Sequence, residues 1–253
     1  MRYFIATLLA LAVFVGLPGC RGKGDLAELA ARAEKWERAV SLYREYLNEH
    51  PNDIIALRTI SSILAYELGE YEEAAMYADT LVAHRAIDTL GVSVSTYAHT
   101  MLAQAAAQRG DTAEVVRHLD QIAETYFIAG YWHYRNNNYE LADWLLRQVV
   151  RLQPKRVEPY LRLGQNFHHW EKPDSAVVWF RRAAKVDRGN LDAYTNIVAT
   201  YYLNGQREKA REALEELEAV RSRFYPDSTF AADTVGRNLP PLTLDYRWAR
   251  HDY

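Results

Sequence analysis

The chain has 253 residues, a quarter of them charged and about half hydrophobic, with a formal net charge of −3. These are ordinary globular proportions, which exclude a disordered, collagen-like or multi-span membrane protein. The slight acidic balance lacks the basic surplus of a nucleic-acid-binding chain, and with 1 Cys no intrachain disulfide can form.

In chain order, the first element is an address. Met1-Arg2-Tyr3 precedes an apolar run from Phe4 to Val15, too short for the ~20 residues that cross a bilayer. A charged start, a short apolar core and small residues at its end read as a secretory signal over 1–19. A plain signal peptide with an incidental Cys, or a short membrane anchor, is the alternative. Arg21 to Asp25 then form a Gly-containing tether over 20–25. Its glycines have no strand before them, so a phosphate loop is set aside.

The remainder is a repeat array. Ala142, Leu146 and Val149 recur as Ala176, Phe180 and Ala183 and again as Ala210, Leu214 and Leu217, at intervals of 34 residues. Upstream of each lies a second set at the same interval: Tyr126-Ala129-Gly130-His133, Tyr160-Leu163-Gly164-Phe167 and Tyr194-Ile197-Val198-Tyr201. The first half is looser. Trp36, Ala39, Tyr43 and Tyr46 lead into the turn at Pro51; Tyr71, Ala74, Ala78 and Leu81 follow 35 residues on. The step of 41 from Ala74 to Val115 predicts a longer loop around Arg85 to Ser95, and the step of 27 from Val115 to Ala142 a shortened repeat. One helix pair cannot bury its own apolar stripe; stacking pairs makes a continuous core. Small residues such as Gly130, Gly164, Ala142, Ala176 and Ala210 then let helix axes approach. Trp36, Tyr160, Phe167, Phe180, Tyr194 and Tyr201 read as core.

The Trp/Tyr, Leu, Gly, Tyr, Ala, Phe, Ala, Pro pattern resembles the tetratricopeptide repeat (TPR) family, with Pro154 at the repeat-ending place and Gly205 at a hairpin turn. The resemblance implies an all-α, right-handed α-solenoid of about six helix-turn-helix units over 26–218, followed by an extended, aromatic and Pro-containing C-terminal tail over 219–253. Leu17-Pro18-Gly19-Cys20 resembles the bacterial lipobox. That resemblance implies a lipoprotein acylated at Cys20, in the bacterial envelope, and Arg21 after the Cys favours the outer membrane facing the periplasm. Several acyl chains make a stable anchor where one is marginal.

In the family the first helix of each pair lines the concave groove. The matching positions are Phe127, Tyr131, Tyr134 and Arg135, then Leu161, Arg162, Gln165, His168 and His169, then Thr195, Asn196, Ala199 and Tyr202. Aromatic, amide and cationic groups together suit a peptide held by stacking and hydrogen bonds; a solvated groove, or one filled by the chain's own tail, is the competing reading. The family's two-carboxylate clamp lacks most of its cations and amides here, leaving an anion site at Arg162. The tail, with Pro240-Pro241 barring a helix, either caps the solenoid or docks another protein.

No Walker loop, Gly-x-Ser-x-Gly, His-Glu-x-x-His or Cys-x-x-Cys occurs. Neighbouring helical residues point about 100° apart, so His168-His169 cannot chelate one metal from one face. The expectation is therefore no enzyme, no cofactor and no metal. A membrane-anchored scaffold binds an envelope protein or peptide, with no nucleic acid; a regulatory subunit of an envelope enzyme, or a carbohydrate- or small-ligand-binding lipoprotein, is the alternative.

Overall fold

The structure, a computed structural model, describes residues 22–226. The signal peptide, Cys20 and the tail beyond Pro226 lie outside the described residues. Within them the chain is all-α: α1 Lys23–Arg32, α2 Trp36–Glu49, α3 Ile54–Ile63 continued by a π-helical turn Leu64–Leu68, α4 Tyr71–His84, α5 Thr89–Arg109, α6 Thr112–Arg135, α7 Tyr139–Leu152, α8 Glu158–His169, α9 Pro173–Val186, α10 Leu191–Leu203 and α11 Arg207–Phe224. Consecutive helices pack side by side from α1 to α11, which makes the fold an α-solenoid of helical hairpins. None of these helices is long and apolar enough to cross a membrane.

Each hairpin turns on one residue with positive φ. Among the described residues these are Glu34, Gly69, Gly110, Asn137, Glu171 and Gly205. Their spacings reproduce the irregular repeat, and the last three stand 34 apart. Six such turns make six units. Three of the turns that link one unit to the next are closed by polar caps: Asp53 accepts from the Ala56 amide (2.9 Å), Asp88 from Gly91 (3.0 Å) and Asn190 from Ala193 (3.0 Å). Each such cap stabilises its helix start by about 1 kcal/mol.

The shortened repeat has a definite form. Its linking turn is missing, and α6 runs unbroken over 24 residues. Its first half is the second helix of the third unit; its second half is the first helix of the fourth. The longer loop expected over Arg85 to Ser95 is not formed. Only Arg85 to Asp88 lie between helices, and the extra residues lengthen α5 to 21. The reason is local: Asp88 caps α5 and pairs with Arg58, while Val92, Val94 and Ser95 are buried against neighbouring helices. Two boundaries also shift. α1 begins at Lys23, inside the expected tether, and α11 continues past Glu218 to Phe224.

The core forms along the stack. One cluster joins α1 to α5 and another joins α7 to α11. Val82, Ala86, Val92, Ala129 and Leu145 bridge them at α6. Phe180, Ala142 and Ala176 are fully buried, and Tyr160 and Phe167 nearly so; Trp36, Tyr194 and Tyr201 are half-buried against the same clusters. Two of the close approaches fall at the repeat-related glycines. A Cβ on Gly130 would lie 2.9 Å from Leu146, and one on Gly164 would lie 2.4 Å from Phe180.

Candidate partner-binding groove

The candidate residues lie on the first helices of the last three units: the second half of α6, α8 and α10. At the α6–α8 junction six of them meet. The Arg162 guanidinium lies 4.6 Å above the Tyr131 ring and Arg162 Nη1 donates to Gln165 Oε1 at 3.1 Å. Tyr131 faces Tyr134 at 6.4 Å, Tyr134 meets His169 edge-on at 5.4 Å, and His169 follows His168. A cation over an aromatic face is worth about 0.5–2 kcal/mol, so this pairing also helps hold α8 against α6.

The electrostatics of the cluster are one-sided. Burial lowers the pKa of Arg162, partly offset by the Tyr131 and Tyr134 hydroxyls, yet the group stays charged because guanidinium loses its proton only far above neutrality. Burial, then His169, push the His168 imidazole below its ordinary value. His168 Nδ1 is buried without a hydrogen-bond partner among the described residues. Arg135 stands exposed on the same helix as Tyr131 and Tyr134. The cluster thus brings cationic and aromatic side chains together on two successive first helices.

The other candidates are placed differently. Leu161 is 3% exposed and belongs to the core, because its side of α8 faces α7 and α9 rather than solvent. Phe127 lies beneath Arg156, whose guanidinium sits 4.3 Å over its ring and also bonds Glu124; the loop after α7 therefore covers it. On α10, Asn196 Nδ2 donates to the Asp192 carbonyl of its own helix at 2.7 Å, and Thr195 is half-buried. Tyr202 is exposed, as is Leu203 beside it. The structure adds a tyrosine cluster in which Tyr71, read above as a repeat position, is joined by Tyr66 and Tyr97, which the sequence did not single out. Tyr66 on the π-helical turn and Tyr71 at the start of α4 both flank Tyr97 of α5, at 5.1 and 5.9 Å. The signal was present for Tyr97, which precedes Tyr131 by 34 residues.

The rings of His168 and His169 stand at 83° to each other. Among the described residues no cluster of three or more His, Cys, Asp or Glu could hold a metal ion.

Residues 25–53, which hold α2 and nearly all of α1, match the tetratricopeptide repeat family model. No curated protein matches the chain. Among solved structures, the chain is similar to MamA, at 16% identity over 79% of this chain and 96% of that one, with a TM-score of 0.39. It is likewise similar to YrrB, described as a TPR protein with an unusual peptide-binding site, at 18% identity over 74% and 93%, TM-score 0.38. A third is the TPR2AB domain of yeast Sti1 in complex with an HSP90 peptide, at 14% identity over 80% and 90%, TM-score 0.36. The described residues form an α-solenoid of helical hairpins, and its first unit is the part that matches the tetratricopeptide repeat model.

Proposed function

We propose that this protein is a non-catalytic, lipid-anchored scaffold of the bacterial envelope. It holds a peptide segment of a partner protein against α6 and α8. The observation that carries the reading is the junction of Tyr131, Tyr134, Arg162 and His169, where two successive first helices bring a cation and aromatic faces together. Tyr and Arg are the side chains that most often dominate protein interfaces, and a carboxylate-bearing or aromatic segment complements this set. The lipobox resemblance supports an anchor at Cys20, and Arg21 after it favours the outer membrane facing the periplasm. Confinement there raises the effective concentration of partner, so modest affinity suffices.

The test is an in-cell photocrosslink from position 134, with position 211 on exposed α11 as control. A discrete envelope protein captured from 134 and not from 211 is the expected result. Arg162→Ala should reduce that capture about tenfold, the loss of roughly one interface contact. Cys20→Ser should release the protein from the membrane fraction while leaving capture in solution intact. Equal capture from both positions, or capture unaffected by Arg162→Ala, overturns the groove. Membrane retention of the Cys20→Ser variant overturns the anchor.

A further inference from the structure

Away from the groove, α4, α5 and α6 share a buried polar chain that the scaffold reading does not use. His99 and His118 are 5% and 2% exposed, and Ser95 is fully buried. Their Nδ1 atoms face each other at 2.9 Å. On one side His99 Nε2 meets Asp79 Oδ2 at 3.0 Å; on the other, Arg117 Nη2 meets His118 Nε2 at 2.9 Å. Ser95 Oγ donates to the other Asp79 oxygen at 2.6 Å and lies 3.1 Å from Thr125 Oγ1.

The two ends dictate every proton between them. A guanidinium only donates, so His118 Nε2 is an acceptor and the His118 proton sits on Nδ1. That proton is given to His99 Nδ1, which is therefore bare, so the His99 proton sits on Nε2 and is given to the Asp79 carboxylate. Ser95 already donates to Asp79, so Thr125 donates to Ser95. The chain is complete with both imidazoles neutral, and each atom has one role. On His118 Nε2 a further proton meets the Arg117 N–H; on His99 Nδ1 it meets the His118 N–H. Either position sets two donors face to face at a buried imidazole, where an unmade hydrogen bond is costly.

We propose that the Asp79–His99–His118 chain is a proton-sensitive latch, which holds α5 to α4 and α6 at neutral pH and releases them on acidification. The charged groups around it pull in both directions. From α4, Asp79 meets His99; on α6, Glu114 lies 3.8 Å from His118 Nε2 while Arg117 opposes charge there. Burial, Arg117 and His99 together hold His118 below its ordinary value. An imidazole so held contributes stability that is full above about pH 6.5 and is lost as pH falls through the window beneath it. Because α6 continues unbroken to Tyr131 and Tyr134, release of its first half changes what supports one edge of the groove.

Hydrogen exchange of the full chain, corrected for intrinsic rates, tests this between pH about 7.5 and about 5.5. Amides of α5 and the first half of α6 should open about tenfold more readily at the acid end, the change expected for one proton taken up over one pH unit below the ordinary imidazole value. Those of α10 and α11, which contain no His, should not change. His118→Gln keeps a donor toward His99 and cannot titrate, so it should abolish the acid response. Imidazole ¹⁵N shifts of the unmodified protein, which need no variant to fold, should show His99 protonated on Nε2 and His118 on Nδ1. Acid-insensitive protection in α5 and α6, protection that rises on acidification, or the opposite tautomers would overturn the latch.

Discussion

Among the described glycines Gly164 has the tightest approach, with Phe180 where a Cβ would go. Phe180 is fully buried and cannot swing into solvent, so relief must come from backbone movement between α8 and α9. Gly164→Ala is therefore expected to destabilise by about 1–3 kcal/mol through overpacking, although alanine favours helix. A urea midpoint measured with the slope unchanged checks it; a neutral or stabilised variant would show that α8 can move away from α9. The equivalent substitution at Gly130 meets Leu146, a flexible aliphatic chain, at 2.9 Å, and should cost less. The pair of glycines was legible from their spacing. The buried imidazoles were not, because Asp79, His99 and His118 come from three helices and their separations match no motif.

Among the elements α6 is the one that departs from the repeat. Two helices that a regular array would separate by a turn are continuous here, and the step of 27 residues is the mark it leaves in the sequence. Its continuity can be tested at Gln121, an exposed position in its interior. Gln121→Pro removes one helical hydrogen bond and drives its ring into the preceding turn, with an expected loss of about 3 kcal/mol or more. Chemical denaturation followed by circular dichroism reads this directly. A loss well under that figure would mean α6 tolerates a turn where its relatives in the array have one. The misplaced loop over Arg85 to Ser95 has the same lesson. Seven extra residues in a repeat lengthen a helix when a cap such as Asp88 and buried positions such as Val94 continue its face.

On the scale of the whole molecule, each helix packs mainly on its immediate neighbours. Stability in such an array is close to a sum of unit and interface contributions. A chain ending at Asn190, which lacks α10 and α11, should therefore keep its helicity per residue and a cooperative thermal transition at a lower midpoint. Loss of helicity throughout the shortened chain would show that α10 and α11 support units they do not touch.

The period of the array and the small residues at its close contacts follow from the order of amino acids alone. They are local: each depends on which face of a helix a residue occupies and on the backbone conformation it allows. Tertiary structure decided the rest. Leu161 and Arg162 are neighbours on one helix, yet packing of α8 buries the first in the core and lays the second across Tyr131 of α6. Phe127 has the composition of a groove residue and is covered by Arg156 from a loop nearly thirty residues away. Helical periodicity assigns a side chain to a face, but which neighbour covers that face depends on how the units stack, and the irregular third and fourth units alter that stacking.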